Sequence, residues 1–381
     1  MKKIISASLA ALLTSVLCIS GAAAVHAEEA SAPKIVTTIF PEYDWVRALL
    51  GENPAGAEVT MLLDNGVDLH SYQPTAEDMM KIAESDLFIY VGGESDSWVE
   101  DALAEVVNKD IIVINLLEQL GSLAREEEVV EGMQEEAHDH DHEGEEVHED
   151  EDHHEGEEAH EDEDHHEGEL AHEDKDHHEG EEAHEDEDHH EGEEAHEHGD
   201  EPELDEHVWL SLKNTKVLCT VIEQALEQVD PKHAEAYQAN LEAYTAQLDE
   251  LDSAYQEAVS AAAGDTLLFG DRFPFRYLTD DYGLSYYAAF MGCSAETEAS
   301  FDTIIFLATK MDELELPVIM TLEGSDHRIA ETILQTSTAK NQTILEMDSM
   351  QSVTAKDVEA GATYLQIMEK NLEVLKEALG S

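Results

Sequence analysis

The chain has 381 residues, 91 Asp and Glu against 19 Lys and Arg, and a formal net charge of −72. A field of that sign repels phosphate backbones and anionic lipid surfaces and gathers cations, so a nucleic-acid binder is excluded. The charge is uneven: residues 126–206 hold 43 acidic side chains and one base, Lys175, with 17 of the 22 histidines, which leaves −30 for everything else.

Residues 1–27 read as a secretory signal. Lys2 and Lys3 form its positive end, Ile4 to Ile19 its apolar stretch, and Val25-His26-Ala27 a small-residue cleavage site. A retained anchor is the alternative, although about 20 apolar residues are needed to span a bilayer. Cys18 leaves lipid attachment open, with the bulky Leu17 before it arguing against. The protein is therefore expected outside the cytoplasm, in a periplasm or at the outer face of the cytoplasmic membrane. Cys219 and Cys293 remain after cleavage, and in an oxidising compartment the sequence leaves their pairing open.

Short apolar runs then alternate with helical patterns. Strands are expected at Ile35–Phe40, Glu58–Leu63, Leu87–Val91 and Ile111–Asn115, with helices at Pro41–Leu50, Ala76–Glu84 and near Trp98–Asn108. Pro41 suits a helix first turn, Gly51 a helix end, and Thr75 with Asp78 an N-terminal cap. From His148 the tract repeats every twelve residues through position 195, as HEDEDHHEGEEA and close variants. Twelve residues at about 100° each leave successive repeats rotated by roughly 120°, so no helical face forms. Dense like charge and a glycine in each repeat predict a disordered insertion over 126–206.

Beyond it, Ser211–Gln228 reads as a helix, and 231–263 as one long linker helix with Leu241, Tyr244, Leu248, Leu251 and Tyr255 on a stripe. A second set of strands (Thr266–Phe269, Tyr286–Phe290, Val318–Leu322, Thr343–Met347) alternates with helices Phe301–Leu314, Asp326–Gln335 and Thr354–Leu379. The expected fold class is α/β: two lobes, 33–230 and 264–381, each a mostly parallel sheet with flanking helices.

Among the histidines outside the tract, His233 and His327 sit in polar helical contexts that need only solvent. His70 lies in a loop after a strand, in Asp64-Asn65-Gly66-Val67-Asp68-Leu69-His70-Ser71-Tyr72-Gln73-Pro74. His207 stands between Asp205-Glu206 and Val208-Trp209-Leu210, where the tract gives way to fold. Taken together, these segments resemble the substrate-binding subunits of zinc- and manganese-uptake ABC transporters. Gly66, Asp68, His70, Tyr72 and Pro74 match one family pattern. Asp205, His207, Trp209 and Leu210 match a second, with Glu206 where the family has proline. The resemblance covers about 33–125 and 203–379, and a His-rich acidic loop between the two motifs is typical of the zinc members.

The resemblance implies a Zn²⁺ ion, with Mn²⁺ possible, held between two lobes and passed to a membrane permease by a monomeric carrier. It also implies a third histidine eleven residues before the glycine of Tyr282-Gly283-Leu284, and here that position is Arg272. A guanidinium does not ligate cations. Zinc asks for about four N, O or S donors, so His70 and His207 need carboxylate company. Asp348, matching the family's last ligand position, is the leading candidate, followed by Asp271, Glu323 and Glu296. Arg272 or Arg276 would rather hold a carboxylate in place. In the tract, His148, His153, His154, His160, His165, His166, His172, His177, His178, His184, His189 and His190 recur at fixed positions, which an acidic spacer would not require. Weak, acid-releasable zinc sites that feed the tight one are the expected role.

An enzyme is a poor fit. His154-Glu155 finds its next histidine at His160, the wrong spacing for a zinc peptidase, and no nucleophile elbow or phosphate loop is present. The remaining alternatives are a manganese- or iron-binding member of the same family and a secreted metal sponge or adhesin that serves no transporter.

Overall fold

The structure, a computed structural model, describes residues 31–134, 203–294 and 298–380. The signal segment 1–27, the repeats 148–195 and Glu296 lie outside the described residues. The described residues 31–134 and those from Leu204 onward belong to one compact unit.

The first half builds a four-stranded sheet from β1 (Lys34–Thr37), α1 (Phe40–Leu50), β2 (Glu58–Met61), α2 (Ala76–Ala83), β3 (Leu87–Tyr90), α3 (Val99–Ala104), β4 (Ile112–Asn115) and α4 (Leu116–Leu120). Its strand order is β2-β1-β3-β4, and every pairing is parallel. Ile35, Leu87, Phe88 and Ile89 are fully buried, as expected where helices cover both faces of a parallel sheet. Thr75 and Asp78 do form a reciprocal cap at the start of α2.

Leu204 pairs with Glu126 in an isolated antiparallel bridge, and the chain continues into α5 (Leu212–Val229) and α6 (Ala234–Ala261). At about 1.5 Å per residue the 28 residues of α6 span roughly 42 Å. Tyr237, Tyr244, Leu248, Leu251, Tyr255 and Ala258 line its buried stripe, packed against α1 and α5. The second sheet comprises β5 (Thr266–Phe273), α7 (Arg276–Tyr282), β6 (Ser285–Met291), α8 (Phe301–Glu313), β7 (Val318–Leu322), α9 (Arg328–Thr336) and β8 (Thr343–Met347). Its order is β6-β5-β7-β8, again wholly parallel. Two helices close the chain, α10 (Ala355–Glu359) and α11 (Tyr364–Leu379), the latter lying against α6 and β8. One core runs from the first sheet through α5, α6 and α11 into the second, and a smaller one fills the space beneath α8 and α9.

Two expectations are corrected, and two helices that were not foreseen are found. The charged insertion starts later than composition suggests. Met133 is buried, the Gln134 N–H donates to the Ala289 carbonyl (3.0 Å), and Asp205, Glu206 and His207 are fully inside the fold. The helix expected over Thr354–Leu379 is two helices, because Gly361 turns at φ +97° and the Thr363 side chain caps a new start by accepting from the Gln366 N–H. Finally, α4 and α7, at five and seven residues, are too short for the apolar periodicity that marks a helix.

Candidate metal centre

Parallel sheets put the loops that follow their strands at one edge, where ligands of open α/β folds bind. His70 lies in the loop after β2. Its Nδ1 is 2.6 Å from Asp68 Oδ1, which also accepts the His70 N–H (3.0 Å). The other Asp68 oxygen takes Arg272 Nη2 at 2.8 Å, an ion pair between residues 204 positions apart. Burial would raise the Asp68 carboxyl, but hydrogen bonding and charge from His70, then Arg272, hold it well below the usual carboxylate range.

His207 repeats the device. Asp205 Oδ1 accepts the His207 N–H (2.9 Å) and lies 3.0 Å from its Nδ1. In the neutral ring, a carboxylate facing Nδ1 draws the proton there and leaves Nε2 with its lone pair, the arrangement that prepares an imidazole to bind a metal. Both Nε2 atoms are buried without a hydrogen-bond partner, and the two rings lie 5.2 Å apart. The fully buried ring of His207 is flanked by Trp209 at 5.3 Å. Gly292 also abuts it, and an added Cβ there would come within 2.8 Å of Cε1 and 3.0 Å of Nδ1.

Glu206, which replaces the family's proline, is 2% exposed. Its Oε1 accepts the Ser95 N–H (2.9 Å), while Oε2 has no partner and lies 3.5 Å from His70 Nε2. A Cβ at Gly93, whose φ is +83°, would sit 2.3 Å from Glu206 Oε1, so glycine is what admits this carboxylate. Burial, with the charge of Glu206 adding to it and the Gly92 N–H opposing, pushes neighbouring Asp96 up to about 7.

Among the described residues, one group of metal-binding side chains has donor atoms all within 4.8 Å of one another: His70, His207 and Cys293. Cys293 and Cys219 are both unpaired thiols. Burial, then the carboxylates of Glu127, Asp205 and Glu206, push the Cys293 thiol up.

Asp348, Glu323 and Asp271 are not in this group. Each carboxylate is engaged by nearby donors instead. Asp348 Oδ1 accepts the Met350 N–H (2.8 Å), and Asp271 accepts from the backbone of Arg272 and Leu322. Glu323 gathers the Ser349 N–H, the Ser349 hydroxyl and the Gln351 N–H, while burial and then the charge of Asp348 push it up to about 7. Glu296 and the tract histidines lie outside the described residues. Sequence reasoning passed over Glu206 and Cys293, although the spacing Asp-X-His, present at both 68–70 and 205–207, marks the two oriented imidazoles.

Arg272, in the place of the expected imidazole, thus holds the carboxylate that orients His70. Arg276 instead pairs with Glu128 (3.4 Å). Loss of such an outer partner typically costs about 10–100-fold in metal affinity. Arg272→Ala is therefore expected to weaken zinc binding by about that factor without changing its stoichiometry, as read by chelator competition. An unchanged affinity would mean that Asp68 needs no guanidinium to hold His70.

Residues 35–378 match the family model described as periplasmic zinc-uptake complex component A. The chain is 27% identical over 343 residues to the zinc-binding lipoprotein AdcA of Streptococcus pneumoniae, covering 90% of this chain and 55% of the relative. It is 25% identical over 346 residues to the high-affinity zinc uptake system protein ZnuA of Bacillus subtilis, covering 91% and 87%. The chain therefore spans about half the length of the streptococcal relatives. Among solved structures it superposes on the Zn(II)-bound ZnuA-like domain of S. pneumoniae AdcA with a TM-score of 0.60, at 23% identity over 92% of this chain and 99% of that one. The periplasmic zinc-binding protein TroA of Treponema pallidum gives 0.61 at 19% identity, over 91% and 99%. At these identities the structural likenesses speak for the fold, two parallel sheets in two lobes.

Proposed function

The chain belongs to the family of the periplasmic zinc-uptake complex component A, and from that membership we propose that it captures one Zn²⁺ ion tightly between its lobes, outside the cytoplasm, and hands it to an ABC-type permease. The observation that carries this reading is the pair of buried, partnerless Nε2 atoms of His70 and His207, each with its other nitrogen against an aspartate. Buried polar atoms without partners are rare, and two that converge with lone pairs outward suit a cation. Imidazole favours zinc over manganese. No bond of the cargo is made or broken; the protein binds, dehydrates and releases it as a monomer. The His/acid insertion acts as a low-affinity collector that raises the local zinc concentration beside the tight site.

Competitive titration of the full chain with Zn²⁺ and Mn²⁺ tests this, with and without residues 135–202. Zinc is expected to take one tight equivalent in both forms, and the deletion to remove only the weak ones. Manganese displacing zinc from the tight site would overturn the cargo. Total stoichiometry unchanged by the deletion would overturn the collector.

A further inference from the structure

Resting on the zinc-capture reading, we propose that the Cys293 thiolate and the Glu206 carboxylate complete the site, giving a closed set of two imidazoles, one sulfur and one oxygen.

Zinc in a protein interior takes about four donors, and sulfur at about 2.3 Å is among its preferred ones. Two imidazoles alone leave the ion short, and the position expected to supply a third holds Arg272, whose guanidinium is committed to Asp68 and reaches the Ser294 carbonyl (3.5 Å). The segment after β6 fills the gap. Gly292 lets its backbone press onto His207 more closely than any side chain would permit, and the next residue brings a thiol within 4.8 Å of both imidazole donors.

The fourth donor rests on a separate observation. Glu206 Oε2 is buried, partnerless and 3.5 Å from an equally partnerless His70 Nε2. When His70 is neutral with its proton directed at Asp68, two lone-pair atoms face each other there, an unfavourable contact that a cation reverses. The charges also close. Zinc binding displaces the thiol proton to water, and Zn²⁺ with one thiolate and one carboxylate is neutral, which suits a buried ion better than four neutral donors would. A sulfur donor further separates zinc from manganese, which prefers oxygen.

Cobalt titration of the chain without its signal segment 1–27, which carries Cys18, tests the sulfur. The tract contains no cysteine, and Cys219 is fully buried within α5, so a thiolate-to-cobalt charge-transfer band in the near ultraviolet reports on Cys293 alone. The band is expected to rise with the first equivalent of Co²⁺ and to vanish in Cys293→Ser. In the wild-type protein, zinc is expected to shield Cys293 from alkylation, a measurement that needs no variant to fold. Glu206→Gln is expected to weaken zinc beyond the ~10–100-fold cost of an outer partner. A tight equivalent that depends on His70 and His207 but brings neither band nor shielding would overturn the sulfur while leaving zinc capture intact. Unchanged affinity in Glu206→Gln would overturn the oxygen. A tight equivalent that survives without both histidines would overturn the capture reading and this donor set together.

Discussion

Full-length protein carrying His70→Ala and His207→Ala is expected to lose its tight zinc equivalent and keep the weak ones. Each direct donor is worth more than the ~10–100-fold of an outer partner, so losing both lowers affinity on the order of 10⁴-fold or more. Chelator competition reads that loss directly. A second readout follows from linkage: an ion at 100 times its Kd stabilises the fold that binds it by about 2.7 kcal/mol, so zinc should raise the melting temperature of the wild-type protein and leave the double variant almost unmoved. His207 is fully buried, and its truncation also opens a cavity, so the metal-free variants must be compared with each other. The control is His233→Ala. That ring also faces an aspartate, Asp230 at 2.5 Å, but it is not part of the metal-binding group, and its loss should leave the tight equivalent in place. Equal loss of tight and weak equivalents in the double variant would instead describe a sponge without a defined centre.

The imidazole pair was legible in the sequence because each histidine sits in a local motif. Asp68 orients His70, and Asp205 orients His207, from two residues away. The helix start at Thr75 and most strands were legible for the same reason, since caps and apolar runs are short-range features. The further donors proposed for the site were not. Glu206 was read as a departure from a motif, whereas its burial depends on Gly93 and Ser95, more than a hundred positions earlier. Cys293 meets the imidazoles only through the register of β6 and the bare Gly292. Asp348 drew attention by its match to a family position, yet its carboxylate is turned into its own loop by the Met350 N–H. Spacing along the chain carries no information on any of these long-range placements.

The rigidity of the centre can be tested at Trp209, where Trp209→Ala is expected to cost about 3–5 kcal/mol in chemical denaturation of the metal-free protein. That is a large share of the 5–15 kcal/mol typical of a folded domain. The indole is 1% exposed, and its Nε1–H donates to the Ser349 carbonyl (2.8 Å) in the loop after β8. Its own carbonyl accepts the Tyr364 hydroxyl (2.7 Å) at the start of α11. Tyr364 in turn packs edge-on against Trp45 of α1, and its N–H donates to Asp44. One residue beside His207 thus ties together the loop after β8, α11 and, through Tyr364, α1. Trp209→Phe separates the two contributions: it keeps most of the buried ring but strands the Ser349 carbonyl, and about 1–3 kcal/mol should go with that unmade bond. Both variants should also weaken zinc, because the indole is one wall holding the His207 ring in place. A Trp209→Ala protein with wild-type zinc affinity would mean that Asp205 and the backbone alone hold the imidazole. A loss of affinity that tracks the loss of stability would mean that the lobes are held at their binding separation by the same core that folds them.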